Sequence, residues 1–309
     1  MPRISAIVVS WNVWPMLAQC LKSLLPQLGP GDEVLVVDNG STDETVQSLP
    51  ELFPSIELIA NPQNAGYAAA VNLALARARG QWLLLLNPDT VLRAGAIQEL
   101  LLIAEKDQSA AVVGPRLLYP NGDPQPSRRR FARHWEFFLD ASPWHWSRVG
   151  KRLLRRCYCL DTPDSHAQAV DWLWGACLLV RAAALAEVGG LDPAFFMYCE
   201  EMDLCQRLRS LGWSVVYQPA ATVVHWEGKS SEKVPLLTLL RYHRSRLLYA
   251  AKYGGWRWAR ALAFLTFGSF CLELLVEVAK LVLRHKPELR QERVRSYRAL
   301  LRELIAAVS

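Results

Sequence analysis

The sequence predicts an α/β fold, a doubly wound and mainly parallel sheet flanked by helices, with a helical C-terminal extension. Three observations carry this expectation. Over residues 4–105 apolar, strand-like runs alternate with segments of helical periodicity, the order that builds a parallel sheet. Three of these runs stop abruptly at polar groups, Ser10, Asp38 and Asn87-Pro88-Asp89. Beyond residue 235 the pattern is helical to the end.

The first strand is Ile4–Ser10, β-branched and leaving at Ser10-Trp11-Asn12. Leu17, Cys20, Leu21, Leu24 and Leu25 then recur at helical spacing until Gly29-Pro30-Gly31 closes the helix. A second strand, Glu33–Asp38, delivers Asp38 into a polar loop where Ser41 or Thr42 is placed to cap the next helix. A third strand near Ile56–Ala60 leads through Asn64 and Gly66 into an alanine-rich helix running to Arg79. The run Trp82–Leu86 is the central strand, and Pro88 ends it, so Asp89 falls at a carboxyl strand end, where open α/β sheets bind ligands. By position alone Asp89 either serves a ligand or turns the chain.

After a helix over 94–105 and a strand near 111–114, residues 116–165 read as a basic, aromatic insertion within one domain. Residues 172–181 read as one strand, in which Gly175 marks either a bulge or a close approach. A helix begins at Glu200-Glu201. Glu201 lies three, four and seven positions before Leu204, Cys205 and Leu208, on the inward face, as a cap-region charge or a general base. Asp203, four before Arg207, reads as half of a surface ion pair. A last strand over 214–218 precedes His225, which is either structural or, beside Asp89, a ligand for Mn²⁺ or Mg²⁺.

Composition narrows the function classes. Seven scattered cysteines favour reduced thiols and a cytosolic setting over a disulfide framework, and no secretory signal pattern opens the chain. No Gly-x-Gly-x-x-Gly or Walker loop is present, which sets aside dinucleotide and P-loop chemistry. The net charge of +6 is uneven: residues 128–156 carry 9 basic against 2 acidic groups and residues 241–309 carry 14 against 5, while the rest is acidic. Such clusters suit phosphate-bearing partners, but acidic cleft loops argue against nucleic acid. Residues 261–276 are apolar except for Glu273, with Trp256 and Trp258 ahead and Arg284 and Lys286 behind. Sixteen residues are short for a span, so the expectation is an interfacial helix at a membrane surface, or one packed on the catalytic domain or a second subunit of a homodimer.

Taken together the chain resembles the inverting glycosyltransferases of family 2, of the GT-A fold, most closely their rhamnosyltransferase-like branch. The resemblance rests on Val-Val-Ser-Trp-Asn (8–12), Val-Val-Asp-Asn-Gly-Ser-Thr-Asp (36–43), Asn-Pro-Gln-Asn-Ala-Gly-Tyr (61–67), Leu-Asn-Pro-Asp (86–89), Tyr-Cys-Glu-Glu-Met-Asp-Leu-Cys-Gln-Arg (198–207) and His225 with Gly228 and Ser230. It covers roughly residues 4–255. It implies a catalytic domain over 1–235 and a helical extension over 236–309. It implies a nucleotide-sugar donor, with rhamnose from a dTDP donor first and UDP- or GDP-sugars as alternatives, and a saccharide or lipid-diphosphate-linked saccharide acceptor. Asp38 would contact base or ribose, with Ser10, Asn12, Asn64 and Gly66 lining the nucleotide pocket. Asp89 and His225 would hold Mn²⁺ or Mg²⁺ on the diphosphate, and Glu201 would deprotonate the acceptor. Trp174, Gly175 and Glu200 would line the acceptor or donor pocket. Two positions depart from the family pattern: Asn87 replaces the first acid of Asp-x-Asp, and Glu201 stands where aspartate is frequent. The implied location is cytoplasmic, peripheral at the inner face of the membrane.

Overall fold

The computed structural model describes residues 3–227, 235–284 and 286–308. The chain forms two compact units, Met1–Phe131 with Tyr158–Lys233, and Ala132–Cys157 with Val234–Ser309. The basic insertion is thus divided: its middle, 132–157, groups with the C-terminal helices.

In chain order the elements are β1 (Ile4–Ser10), α1 (Trp14–Leu24), β2 (Glu33–Asn39), α2 (Thr45–Leu52), β3 (Glu57–Asn61), α3 (Tyr67–Leu75), β4 (Trp82–Leu86), β5 (Thr90–Leu92), α4 (Ala96–Lys106), β6 (Ala110–Leu118), β7 (Pro124–Gln125) and β8 (Arg128–Arg129). The second unit then contributes α5 (His134–Ala141) and α6 (Arg148–Leu153). The first resumes with β9 (Gln168–Val170), β10 (Trp172–Leu173), β11 (Cys177–Arg181), α7 (Ala182–Val188), α8 (Glu200–Ser210) and β12 (Ser214–His225). The second ends with α9 (Pro235–Val282) and α10 (Pro287–Val308).

The main sheet runs β3-β2-β1-β4-β11-β6-β12-β5. Strands β1 to β4 pair in parallel, β11 is antiparallel to β4 and β6, β12 is parallel to β6, and β5 is antiparallel to β12. The carboxyl ends of β1, β2, β4, β6 and β12 therefore share one edge with the start of β11. All five residues of β4 are buried. Leu84 and Leu86 join Val8 and Val36 in one core, while Leu83 and Leu85 join Ile7 and Leu35 in the other. Layers on both faces explain why β4 is uniformly apolar rather than alternating.

Several local expectations are corrected. Neither Ser41 nor Thr42 caps α2: Ser41 Oγ accepts the Asn12 N–H at 2.9 Å, and Asp43 serves the helix start through the Thr45 N–H at 3.1 Å. Helix α3 stops at Leu75 instead of Arg79, because the Arg79 and Gly80 N–H groups turn to Ser5 Oγ at 3.1 and 2.7 Å. Residues 172–181 are two strands, β10 on β8 and β11 on β4, with Trp174-Gly175-Ala176 as the crossing between sheets. The final strand extends to His225 and pairs there with β5, which the sequence pattern did not reveal. Asp203 is not on the surface but fully buried, 2.7 Å from Arg207 Nε. Arg207 also donates to the Val188 carbonyl at 2.8 Å, so its long stem brings the charge inward over α7.

Within the second unit, Phe270, Leu300, Leu301 and Leu304 form a small core with Phe267, Leu274 and Tyr297. Buried Glu277 of α9 meets Arg290 at 2.7 Å and Lys280 at 3.2 Å, tying α10 to α9. Helix α9 breaks direction at Gly255, φ 81°. It is long and apolar enough to cross a membrane by length and composition, so the brevity of 261–276 alone does not decide the matter.

Asp203 is buried against the partly exposed Arg207, so Asp203→Asn weakens the charged hydrogen bond between them. Such a loss is worth about 2 kcal/mol. A fall in melting temperature of several degrees by scanning fluorimetry is expected; an unchanged transition would show the pair to be dispensable.

Candidate active site

Two main-chain constraints bring Asp89 and His225 together. β12 ends opposite the start of β5, in the register His225↔Thr90. The Trp226 N–H then donates to the Asp89 carbonyl at 3.0 Å. His225 Nε2 lies 3.4 Å from Asp89 Oδ1, and both residues are buried. The ring's other nitrogen is engaged: Nδ1 is 3.0 Å from Gln125 Oε1, and the Gln125 amide donates to Glu227 Oε2 at 2.9 Å. Because Glu227 needs the NH₂ end of the amide, the carbonyl end faces the imidazole and Nδ1 carries the proton. Nε2 is then the nitrogen that faces the Asp89 carboxylate, and an imidazole nitrogen beside a carboxylate oxygen is a donor set that fits Mn²⁺ or Mg²⁺. Among the described residues no group of three or more His, Cys, Asp or Glu side chains is placed to hold a metal ion. Gly228 and Ser230 lie outside the described residues.

Glu201 opens α8 after two consecutive left-handed residues, Tyr198 (φ 71°) and Cys199 (φ 66°). Non-glycine residues occupy that region only under constraint, and such strain gathers at functional sites. The main-chain N–H groups of Glu201, Met202 and Gly175 favour the charged form of the Glu201 carboxylate, whose Oε2 is buried without a partner. Gly175 thus approaches closely: a Cβ there would lie 3.5 Å from the Glu201 Cβ and Cγ. Burial raises the affinity of Glu201 for its proton despite those N–H groups. Glu200, also buried, is pushed up further by desolvation and by Glu201 beside it. The two carboxyls are adjacent and titrate as a coupled pair, each raised by burial. Tyr67 lies in the field of both glutamates, and burial pushes its phenol upward. The sequence reading had quoted Tyr67 in a motif without giving it a role.

Ser10 and Asp38 are register partners at the carboxyl ends of β1 and β2. Asp38 Oδ2 accepts the Ser41 N–H at 3.1 Å; its Oδ1 and the Ser10 hydroxyl are buried without partners. That pair of idle groups fits hydrogen bonding to a ligand. Asn12 is a brace between loops, its Oδ1 accepting the Thr42 N–H at 2.7 Å. Asn64 Oδ1 accepts from Asn39 Nδ2 at 3.1 Å and from the Gly66 N–H at 3.0 Å. Gly66 (φ 91°) is pressed on Phe196, whose carbonyl oxygen would lie 2.5 Å from an added Cβ. Its smallness is thus explained by packing. Trp174 donates its N–H to the Ser127 carbonyl at 2.9 Å beside Gly175.

Gln125, Glu227, Tyr119 and Arg129 were missed in the sequence. Burial and Glu227 push the Tyr119 phenol up, and Arg129 pulls it back. Arg129 likewise favours the charged form of Glu201.

Comparison with known proteins gives the family. A model of glycosyl transferase family 2 matches residues 5–169. An N-acetylglucosaminyl-diphospho-decaprenol L-rhamnosyltransferase of Mycobacterium tuberculosis is 32% identical over 289 residues, 87% of this chain and 91% of that protein. The chain belongs to glycosyl transferase family 2. As a family 2 enzyme it also resembles, in fold, the mannosyltransferase PcManGT of Pyrobaculum calidifontis, solved with GDP-Man and Mn²⁺. The TM-score is 0.56 at 17% identity, over 99% of this chain and 86% of that one. GalNAc-T7, solved with UDP, GalNAc and Mn²⁺, superposes with a TM-score of 0.58 at 18% identity, over 78% of this chain and 47% of that one. The family 2 chain has the GT-A fold that its motifs implied.

Glu201→Gln is expected to lower turnover by a factor on the order of 10³. Glu200→Gln, replacing a carboxyl already biased toward its neutral form, is expected to retain most activity. With Glu201 as the base that the family resemblance implies, its burial-raised affinity for the proton predicts that transfer is lost as pH falls through a value above the ordinary glutamate range. A pH profile of kcat/KM with its acid limb in that ordinary range would contradict the assignment.

Proposed function

We propose that this glycosyltransferase is an inverting enzyme that moves a sugar from a nucleoside-diphosphate donor to a hydroxyl of a saccharide carried on a lipid diphosphate. The observation that carries the reading is one sheet edge presenting both a cation-ready pair, Asp89 and His225, and a carboxylate with an idle oxygen, Glu201. The donor's nucleoside end belongs beside Asp38 Oδ1 and Ser10, with Asn12, Asn64 and Gly66 shaping that pocket. A divalent cation on Asp89 and His225 would neutralise charge developing on the departing diphosphate. Glu201 takes the acceptor proton while the hydroxyl oxygen bonds to the anomeric carbon, and the bond to the diphosphate breaks on the opposite face. Gly175, packed against the Glu201 side chain, leaves room for that carboxylate to keep its place. One displacement inverts the anomeric centre.

Rhamnose from a dTDP donor is the leading substrate, supported by the motif set and by the rhamnosyltransferase relative. Its lipid-linked N-acetylglucosamine acceptor is the model for the acceptor here. The helices of the second unit support work at a membrane surface on the cytoplasmic side. Phe264, Leu272, Leu275 and Val282 are exposed, and their spacings, sums of three- and four-residue steps, return them to one side of α9. Exposed Trp256 lies near its start, with Arg257 and Arg260 against the indole. An apolar stripe with an aromatic and basic border suits an anionic bilayer surface.

A panel of dTDP-, UDP- and GDP-sugars screened by thermal shift with Mn²⁺ is expected to give stabilisation by one donor class. Asp89→Ala and His225→Ala should each remove the Mn²⁺-dependent part, and Gln125→Ala should weaken Mn²⁺ affinity by about 10- to 100-fold. Stabilisation insensitive to chelator would reject the cation site. Separately, the wild-type protein should sediment with vesicles containing phosphatidylglycerol, and Phe264→Glu with Leu275→Glu should release it. Equal sedimentation of the two proteins would reject the α9 stripe as the contact.

A further inference from the structure

Of three consecutive arginines, two have evident structural work. Arg128 donates to the Pro163 carbonyl and to Gln168 Oε1, each at 3.0 Å, and Arg130 meets Asp161 at 2.6 Å. Arg129, between them, has none of this. It is 8% exposed, and its Nε and Nη1 are buried with no hydrogen-bond partner. Among the described residues no ion pair engages it. Its guanidinium carbon lies 3.9 Å from the Tyr158 ring centre, 5.0 Å from that of Trp174 and 5.8 Å from that of Trp172. Trp172 is its register partner across β8 and β10, and the indole Nε1–H of Trp172 is also buried without an acceptor.

Three idle donors in one aromatic setting are costly unless something arrives to accept them, since a buried donor without an acceptor forfeits the hydrogen bonds it made to water. The aromatic faces favour the cation and hold the guanidinium plane, and the planar fork of an arginine matches phosphate oxygens in pairs. The position is on the acceptor side: β10 continues directly into Trp174-Gly175, and Gly175 lies against the Glu201 side chain, a Cβ built there falling 3.5 Å from the Glu201 Cβ and Cγ. In the proposed reading the counter-charge for the donor diphosphate would be the divalent cation that Asp89 and His225 hold.

We infer that Arg129 and the Trp172 indole form a phosphate-binding site that seats the diphosphate of the acceptor, placing its sugar hydroxyl against Glu201. This inference rests on the proposed transferase reading and names the part of the substrate that the arginine recognises. It makes Arg129 a binding residue and gives the enzyme a reason to prefer a diphosphate-linked saccharide over a neutral glycoside.

The test compares two acceptors, N-acetylglucosamine on a short prenyl diphosphate and octyl N-acetylglucosaminide. The ratio of kcat/KM for the charged over the neutral acceptor should fall at least about tenfold in Arg129→Gln, and about threefold in Trp172→Phe, which keeps shape but removes the N–H. Arg129→Lys, which keeps charge and loses the fork, should fall between wild type and Arg129→Gln and serves if the glutamine variant does not fold. Equal losses on both acceptors would overturn the inference in favour of a structural role. A raised KM for the nucleotide sugar with an unchanged acceptor ratio would overturn it in favour of the donor phosphates. If the wild type transfers to neither acceptor, the transferase reading fails separately, and inorganic pyrophosphate in chelator decides the site. Quenching of tryptophan fluorescence in the wild type that is lost in Arg129→Gln supports a phosphate site; no quenching in the wild type rejects it.

Discussion

The geometry of the cleft depends on the antiparallel pairing of β12 with β5. Strand β5 is only three residues long, yet it fixes His225 opposite Thr90 and so next to Asp89. Main-chain and side-chain bonds lock the turn from the other side: Thr90 Oγ1 donates to the Asn87 carbonyl at 2.7 Å, and the Asn87 N–H donates to Ala176 at 2.9 Å. A shift of one residue in that register would turn the imidazole to the opposite face, and a shift of two would carry it about 7 Å along the strand. The bulge between Gln218 and Thr222 in β12 is part of the same setting, since it adjusts the strand before its last three pairs are made.

The strand ends were legible because a parallel strand covered on both faces must be apolar until it leaves the sheet, so Ser10, Asp38 and Asp89 announce themselves. Glu201 was legible from its inward helical position. What could not be read are contacts made by pairing distant segments. Gln125 sits on a two-residue strand inside a stretch that looks like plain turn chemistry, and its importance comes only from reaching His225 a hundred positions away. Arg129 was hidden in a run of like residues, where composition gives all three the same weight and only partners separate them. Asp203 misled because an i,i+4 ion pair looks the same whether the helix face is wet or covered by α7.

The second unit solves a different problem. Glu277 gathers Lys280 and Arg290 around one buried carboxylate, and Arg246 reaches Asp140 at 2.7 Å while lying over the Phe137 ring. Burial and the neighbouring Arg246 push the His243 imidazole down to about 3, so it stays neutral in its apolar surroundings. These polar ties let helices rich in basic residues pack without leaving charges stranded, and they free the outer stripe of α9 to remain apolar.

The left-handed pair Tyr198 and Cys199 has a consequence for how this protein can change. Glycine at either position would relieve backbone strain on the order of 1–3 kcal/mol. It would also loosen the hinge that aims the first turn of α8, and with it Glu201. The most comfortable chain and the best-aimed carboxylate are therefore different sequences here. Selection for heat tolerance and selection for turnover would pull these two residues in opposite directions.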